Sequence, residues 1–180
     1  MKTKVLLFAV TVYASQAWAA GYAEKKLGDL SDDGLAPTVV RLKPGSSNAI
    51  AGKFGTVLKP DGTHTDRDYF TIHLAEGETL EAIILSSPGD VGGAASFIGV
   101  QSGDQVTVPP VGGSPADLLG WANFDGLDVG RDILPDIGAG VGAIGFTPPL
   151  RAGTYSFWVE DLSMCKCRYR LNFFMLAPAH

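Results

Sequence analysis

Oxygen-bearing side chains at Asp29, Ser31 and Asp33, followed by Gly34, imitate the first half of a calcium loop of EF-hand type. The twelfth position of such a loop is Val40, where a bidentate glutamate is needed, so an EF-hand is excluded. A hard cation needs only several convergent oxygens, and another site can combine Asp29 and Asp33 with Asp66 and Asp68. Structural calcium is therefore the one ion to look for, with no cofactor required; the competing reading is Asp, Ser and Gly simply making turns. If residues 64–68 are extended, His64, Asp66 and Asp68 share one face, a spacing a transition metal can use, although strand entry is the simpler role. The acidic stretch Asp125–Asp136 has no ordered ligand spacing and reads as solvated loop charge.

Cys165 and Cys167 lie two apart around Lys166 and form a disulfide candidate if the chain is exported. Such a short ring is strained, so a redox-labile local disulfide and a pair of free thiols both stay open; two cysteines with no histidine nearby fall short of a zinc site. There is no Gly-x-Ser-x-Gly elbow, no His-Glu-x-x-His and no phosphate-cradling Gly-x-x-x-x-Gly-Lys. His180 is the last residue, and His73 alternates against Phe70, Ile72 and Leu74, which puts it on an exposed face. A non-catalytic module is expected. Its candidate binding surface is aromatic: Trp158 and Phe174, flanked by Arg170 and Asn172, with Trp121 nearby in the variable connection, make a platform for sugar rings unless the opposite sheet or the long loops cover them.

The elements that must carry these groups are strands. Gly and Pro recur every ten or so residues, and no stretch sustains a helical period. Strands are expected at Thr38–Lys43, Asn48–Val57, Asp68–Leu74, Thr79–Ser86, Ala95–Gln101, Ala143–Phe146, Thr154–Asp161 and Arg168–Met175, with residues 116–124 a short helix or a further strand. This is an all-β pattern, read as a two-sheet antiparallel β-sandwich of jelly-roll type, one domain over 20–180 with long loops at 88–142. Alternation in the last two strands predicts a hairpin with Val159 opposite Leu171, Phe157 opposite Phe173 and Glu160 opposite Arg170.

Residues 1–19 read as a signal peptide. Lys2 and Lys4 precede the apolar run Val5–Ala14, and Ala17 and Ala19 make an A-x-A cleavage site. That run is shorter than the roughly 20 residues of a membrane helix, and no later segment reaches that length, so no transmembrane segment is expected. The destination is the medium or the periplasm. With net charge −5 and no cluster of Lys and Arg, nucleic acid is excluded as a partner, which leaves a polysaccharide or an envelope protein.

The segments Asp66-x-Asp-Tyr-Phe-Thr-Ile72, Ala75-x-Gly-x-x-Leu80, Arg151-Ala-Gly-Thr-Tyr-Ser-Phe-Trp-Val159 and Tyr169-Arg-Leu171 resemble the bacterial pre-peptidase C-terminal domain and related exported β-sandwich modules, over roughly residues 48 to 86 and 150 to 176. The resemblance implies a compact, non-catalytic sandwich, sometimes with a structural calcium ion, that accompanies a secreted protease or stands alone as a surface or matrix protein. A calcium-stabilised accessory or inhibitor of a secreted enzyme is the alternative to a polysaccharide-binding module.

Overall fold

A computed structural model describes residues 21–89 and 96–178; the expected signal peptide lies outside them. The elements are β1 (Gly21–Ala23), α1 (Glu24–Leu27), β2 (Thr38–Val39), β3 (Ser46–Lys59), β4 (Gly62–Leu74), β5 (Thr79–Gly89), β6 (Ser96–Ser102), β7 (Gly120–Phe124), α2 (Leu134–Gly138), β8 (Gly153–Glu160) and β9 (Cys167–Leu176). The chain is all-β and mostly antiparallel. Its strands form one continuous curled sheet in the order β5-β9-β3-β4-β8-β6-β7, with β1 and β2 added in parallel to β3 and β4. Among the described residues no helix is long and apolar enough to cross a membrane.

The curl is produced by the β3–β4 hairpin, which turns at Pro60 and Asp61. Residues 46–54 of β3 pair with β9, whereas residues 55–59 pair with β4; β4 in turn leaves β3 after Asp66 and pairs with β8 from Arg67 onward. The switch falls at Gly55, whose φ of 123° is open to glycine and costly for other residues. The two halves of the sheet thus face one another, and the alternating apolar rows of β3, β4, β5, β8 and β9 meet between them. Phe70 stacks on Phe157 with ring centroids 5.3 Å apart, and Phe173 meets both rings edge-on at 5.9 and 5.3 Å. Full burial of each such side chain stabilises the fold by about 2–3 kcal/mol before entropy is counted.

The terminal hairpin is a correction. β8 lies between β4 and β6, and β9 lies between β3 and β5. Phe157 and Phe173 do meet, but across the core. Alternation demands only that both apolar rows face one interior, and strands on opposite walls satisfy that as well as neighbours do. Glu160 consequently pairs with Arg67, at 2.6 Å on the outer side of β4 and β8, and not with Arg170. Thr38–Lys43 is a strand only over its first two residues, and Ala143–Phe146 is not one; its backbone instead bonds to carbonyls of Leu118, Leu119, Gly138 and Gly140. Residues 120–124 are the strand alternative, β7.

A second, smaller core covers the outer face of β4, β8 and β6. Val106, Val108 and Leu118, from the long connection after β6, pack with Tyr69 and Trp158. Val106 N–H donates to the Gly34 carbonyl at 2.7 Å, and Ser156 Oγ donates to the Gly103 carbonyl at 2.9 Å, which ties this connection down.

Candidate functional site

The period of two along β4 places Asp66 and Asp68 in the same inward row as Phe70, Ile72 and Leu74. Asp68 is 0 % exposed, and neither carboxyl oxygen has a partner in regular hydrogen-bond geometry, although the Tyr169 hydroxyl and the Glu24 carboxyl stand near enough to act on it. Facing it is Gly52 of β3, which pairs with Tyr169 of β9. A Cβ on Gly52 would run into Asp68 Oδ2 and lie 2.8 Å from Tyr169 Oη, so only glycine leaves room for the carboxyl. The Tyr169 hydroxyl is likewise buried, with the Asp68 carboxyl as its polar neighbour. The third member is Glu24 of α1, buried, with Oε1 accepting from Leu30 N–H at 3.2 Å and Oε2 from Lys53 N–H at 2.8 Å. Those two bonds fasten the amino-terminal segment to β3.

Burial, and then the charge of Glu24, pushes the Asp68 carboxyl up to about 9, well out of the carboxylate range. Burial together with Asp29, Asp32 and Glu24 raises Asp66 to about 6. Glu24 is raised mainly by burial, against its two backbone donors, and Tyr169 is held above the ordinary phenol range by burial and then by Asp68. The group opens to solvent on two sides. Asp29, Asp32 and Asp66 line a cleft of about 330 Å³ beside the β3–β4 hairpin, and Glu24, Gly52 and Tyr169 line another of about 310 Å³.

Of the four aspartates singled out from the sequence, Asp29 acts on Asp66, and Asp66 on Asp68. Asp33 does not join them: it turns away, accepts from Leu35 N–H at 2.9 Å and caps a turn. Sequence reasoning missed Glu24 and Asp32. Glu24 sits before Lys25 and Lys26 and reads as surface charge, so nothing local announced its burial. His64 lines the same cleft as Asp66 but bonds to Asp61 at 2.9 Å. The Asp125–Asp136 carboxylates are occupied internally: Asp125 and Asp128 cap a turn, Arg131 pairs with Asp128 and Asp136, and Asp132 accepts from Ile83 and Leu134 N–H.

Cys165 and Cys167 form a disulfide. With Asp161 they are the one trio of metal-type donors, among the described residues, whose atoms lie within 4.8 Å of one another. The sulfurs are bonded to each other, however, and the Asp161 oxygens accept from Ser163 and Ser96, so the trio is not a metal site as it stands.

The five platform residues do not form one surface. Trp158 is 5 % exposed beneath the second core, where it stacks on Tyr69 and meets Phe97. Phe174, Arg170 and Asn172 lie in the outward row of β9, on the other wall of the sheet. The long connection covers Trp158, as its outward position alone did not reveal. Trp121 joins the Trp158 cluster instead: it stacks on Phe97 with centroids 6.1 Å apart, and the three rings line a groove of about 220 Å³ edged by Pro109 and Pro110. Comparison with family models, curated proteins and solved structures finds no match to this chain.

Proposed function

We propose that this chain is an exported, non-catalytic β module completed by a hard divalent cation, calcium, held by Glu24, Asp66 and Asp68. The observation that supports it is Asp68: a wholly buried carboxyl with no cationic side chain to pair it among the described residues, beside the two further carboxyls of Glu24 and Asp66. An ionised carboxylate in that position is costly unless it is paired, and all-oxygen surroundings suit a hard cation. The oxygens of the three groups are not within 4.8 Å of one another as they stand, so calcium has to draw them inward, and in doing so it offsets the repulsion among them. The ion joins α1 to β4 and makes the amino-terminal segment part of the fold. On this reading the facing halves of the sheet are the layers of a jelly-roll sandwich related to the pre-peptidase C-terminal domain. The module serves outside the cytoplasm as an accessory or inhibitor of a secreted enzyme, or as a component of the envelope or matrix.

At a calcium concentration a hundredfold above Kd the stabilisation is about 2.7 kcal/mol, a rise in Tm of about 5–10 °C for a domain of this size. Melting the protein with calcium and with chelator, alongside Asp68→Asn, checks this: the rise should be present in the wild type and absent in the variant. Equal melting of the wild type in both conditions excludes the ion.

The Phe97–Trp121 groove favours a second reading, a saccharide module. Trp121 Nε1 donates to the Val141 carbonyl at 3.0 Å, which fixes the indole in place for stacking against a sugar ring. Binding to a polysaccharide panel is then expected to fall about tenfold in Trp121→Ala and to be unchanged in Phe174→Ala. If neither the wild type nor the variants bind any glycan, the groove has another role.

A further inference from the structure

We propose that the Cys165–Cys167 disulfide is a thiol-exchange site, with Cys165 Sγ the sulfur that an external low-molecular-mass thiolate attacks. The bond closes a ring around Lys166 alone and ties no two elements together. Its contribution through loop closure is correspondingly small. The connection between β8 and β9 holds its shape without it. Asp161 Oδ1 accepts from Ser163 N–H at 2.8 Å, Oδ2 accepts from Ser96 Oγ at 2.9 Å, and the Ser163 carbonyl accepts from Thr56 N–H at 2.9 Å and from Cys165 N–H at 2.8 Å. A bond that clamps nothing, in a loop already fixed, is free to serve chemistry.

The two sulfurs are unequal. Cys167 is 2 % exposed in the inward row of β9, packed in the main core. Cys165 is half-buried and lines the open cleft of about 330 Å³, whose walls carry Lys53, Lys59 and Lys166 opposite Asp29, Asp32 and Asp66. A thiolate in that cleft meets Cys165 and not Cys167, between walls that carry as many lysines as aspartates. Attack on Cys165 Sγ forms a mixed disulfide there and breaks the Cys165–Cys167 bond. The departing Cys167 sulfur takes a proton and stays in the core as a thiol, which packs as a small apolar group. A second thiolate then attacks the external sulfur of the mixed disulfide. It releases the symmetrical external disulfide and leaves Cys165, which takes a proton and, as a thiol 3.9 Å from Ser163 Oγ, can donate to that oxygen while the hydroxyl donates to Asp161. The two external thiols supply both electrons, and the reverse sequence reoxidises the protein. This inference does not rest on the cation reading.

The test places the folded protein in buffers of graded reduced and oxidised glutathione, quenches with N-ethylmaleimide and maps adducts by mass spectrometry, with circular dichroism in parallel. The expected result is reversible reduction with an unchanged dichroism spectrum, and a glutathione adduct on Cys165 in at least tenfold excess over Cys167. A bond that is reduced only after guanidinium unfolds the chain overturns the proposal, as does an adduct shared equally between the sulfurs. Because the wild type carries the readout, no variant has to fold for the answer to count.

Discussion

In chelator, the protein is expected to lose stability as pH rises from about 4 to about 9, and Asp68→Asn is expected to remove most of that slope. An aspartate in an unfolded chain titrates near 3.9, whereas burial beside Glu24 holds Asp68 at about 9. A group raised on folding contributes in full below its unfolded value, and the contribution is lost as pH climbs through the folded one. Asp66, at about 6, adds in the same direction over the lower part of the window. One such group changes stability by at most about 1.4 kcal/mol per pH unit, so the total loss reaches several kcal/mol. Urea denaturation of both proteins at unit pH intervals gives the comparison. Parallel profiles would show that folding does not raise the Asp68 carboxyl. Calcium should flatten the wild-type profile, because the cation takes the place of the proton on the buried carboxyl.

Gly52→Val should be the most damaging single substitution at this site, at about 3 kcal/mol or more. The added side chain enters the space of the Asp68 carboxyl and the Tyr169 ring, both buried, and overpacking of that kind forces neighbours off their rotamers. Gly52 is not at positive φ, so the penalty is one of space rather than of backbone strain. Asp68→Ala vacates part of that space. The double variant Gly52→Val with Asp68→Ala should therefore be more stable than the sum of the two single losses predicts, by about 1 kcal/mol or more. Strict additivity in denaturation midpoints would mean that Gly52 and Asp68 do not face one another.

The strands that carry the main core were legible where alternation is clean. Tyr155, Phe157 and Val159 announce β8; Tyr169, Leu171, Phe173 and Met175 announce β9; and Phe70, Ile72 and Leu74 announce the second half of β4. The first half of β4, residues 62–67, was not legible, because Thr63, His64, Thr65 and Asp66 show no apolar period; its pairing comes from the turn at Pro60–Gly62 and from the end of β3. β7 was ambiguous, since Ala122 and Phe124 fit a short helix as well as a strand. At the site, Asp66 and Asp68 were found because they flank a recognisable strand. Glu24 was not, because its burial depends on Leu30 and Lys53, whose N–H groups reach it from other segments. Trp158 was placed on the outward row, and the cover of Val106, Val108 and Leu118 arrives from a connection with no period to read.

By itself the sequence determined the all-β character, the inward and outward rows of the regular strands β4, β8 and β9, and the absence of the common catalytic motifs. These follow from side-chain spacing and from backbone freedom at single residues, which are local properties of the chain. The tertiary structure decided which strands are neighbours, that Phe157 meets Phe173 across the core, that Asp68 faces Gly52, and that Cys165 lies open to a cleft while Cys167 is buried. A side chain's spacing names the face it occupies; what stands opposite that face depends on where the sheet curls, and Gly55 and the β3–β4 hairpin set that for all the strands at once.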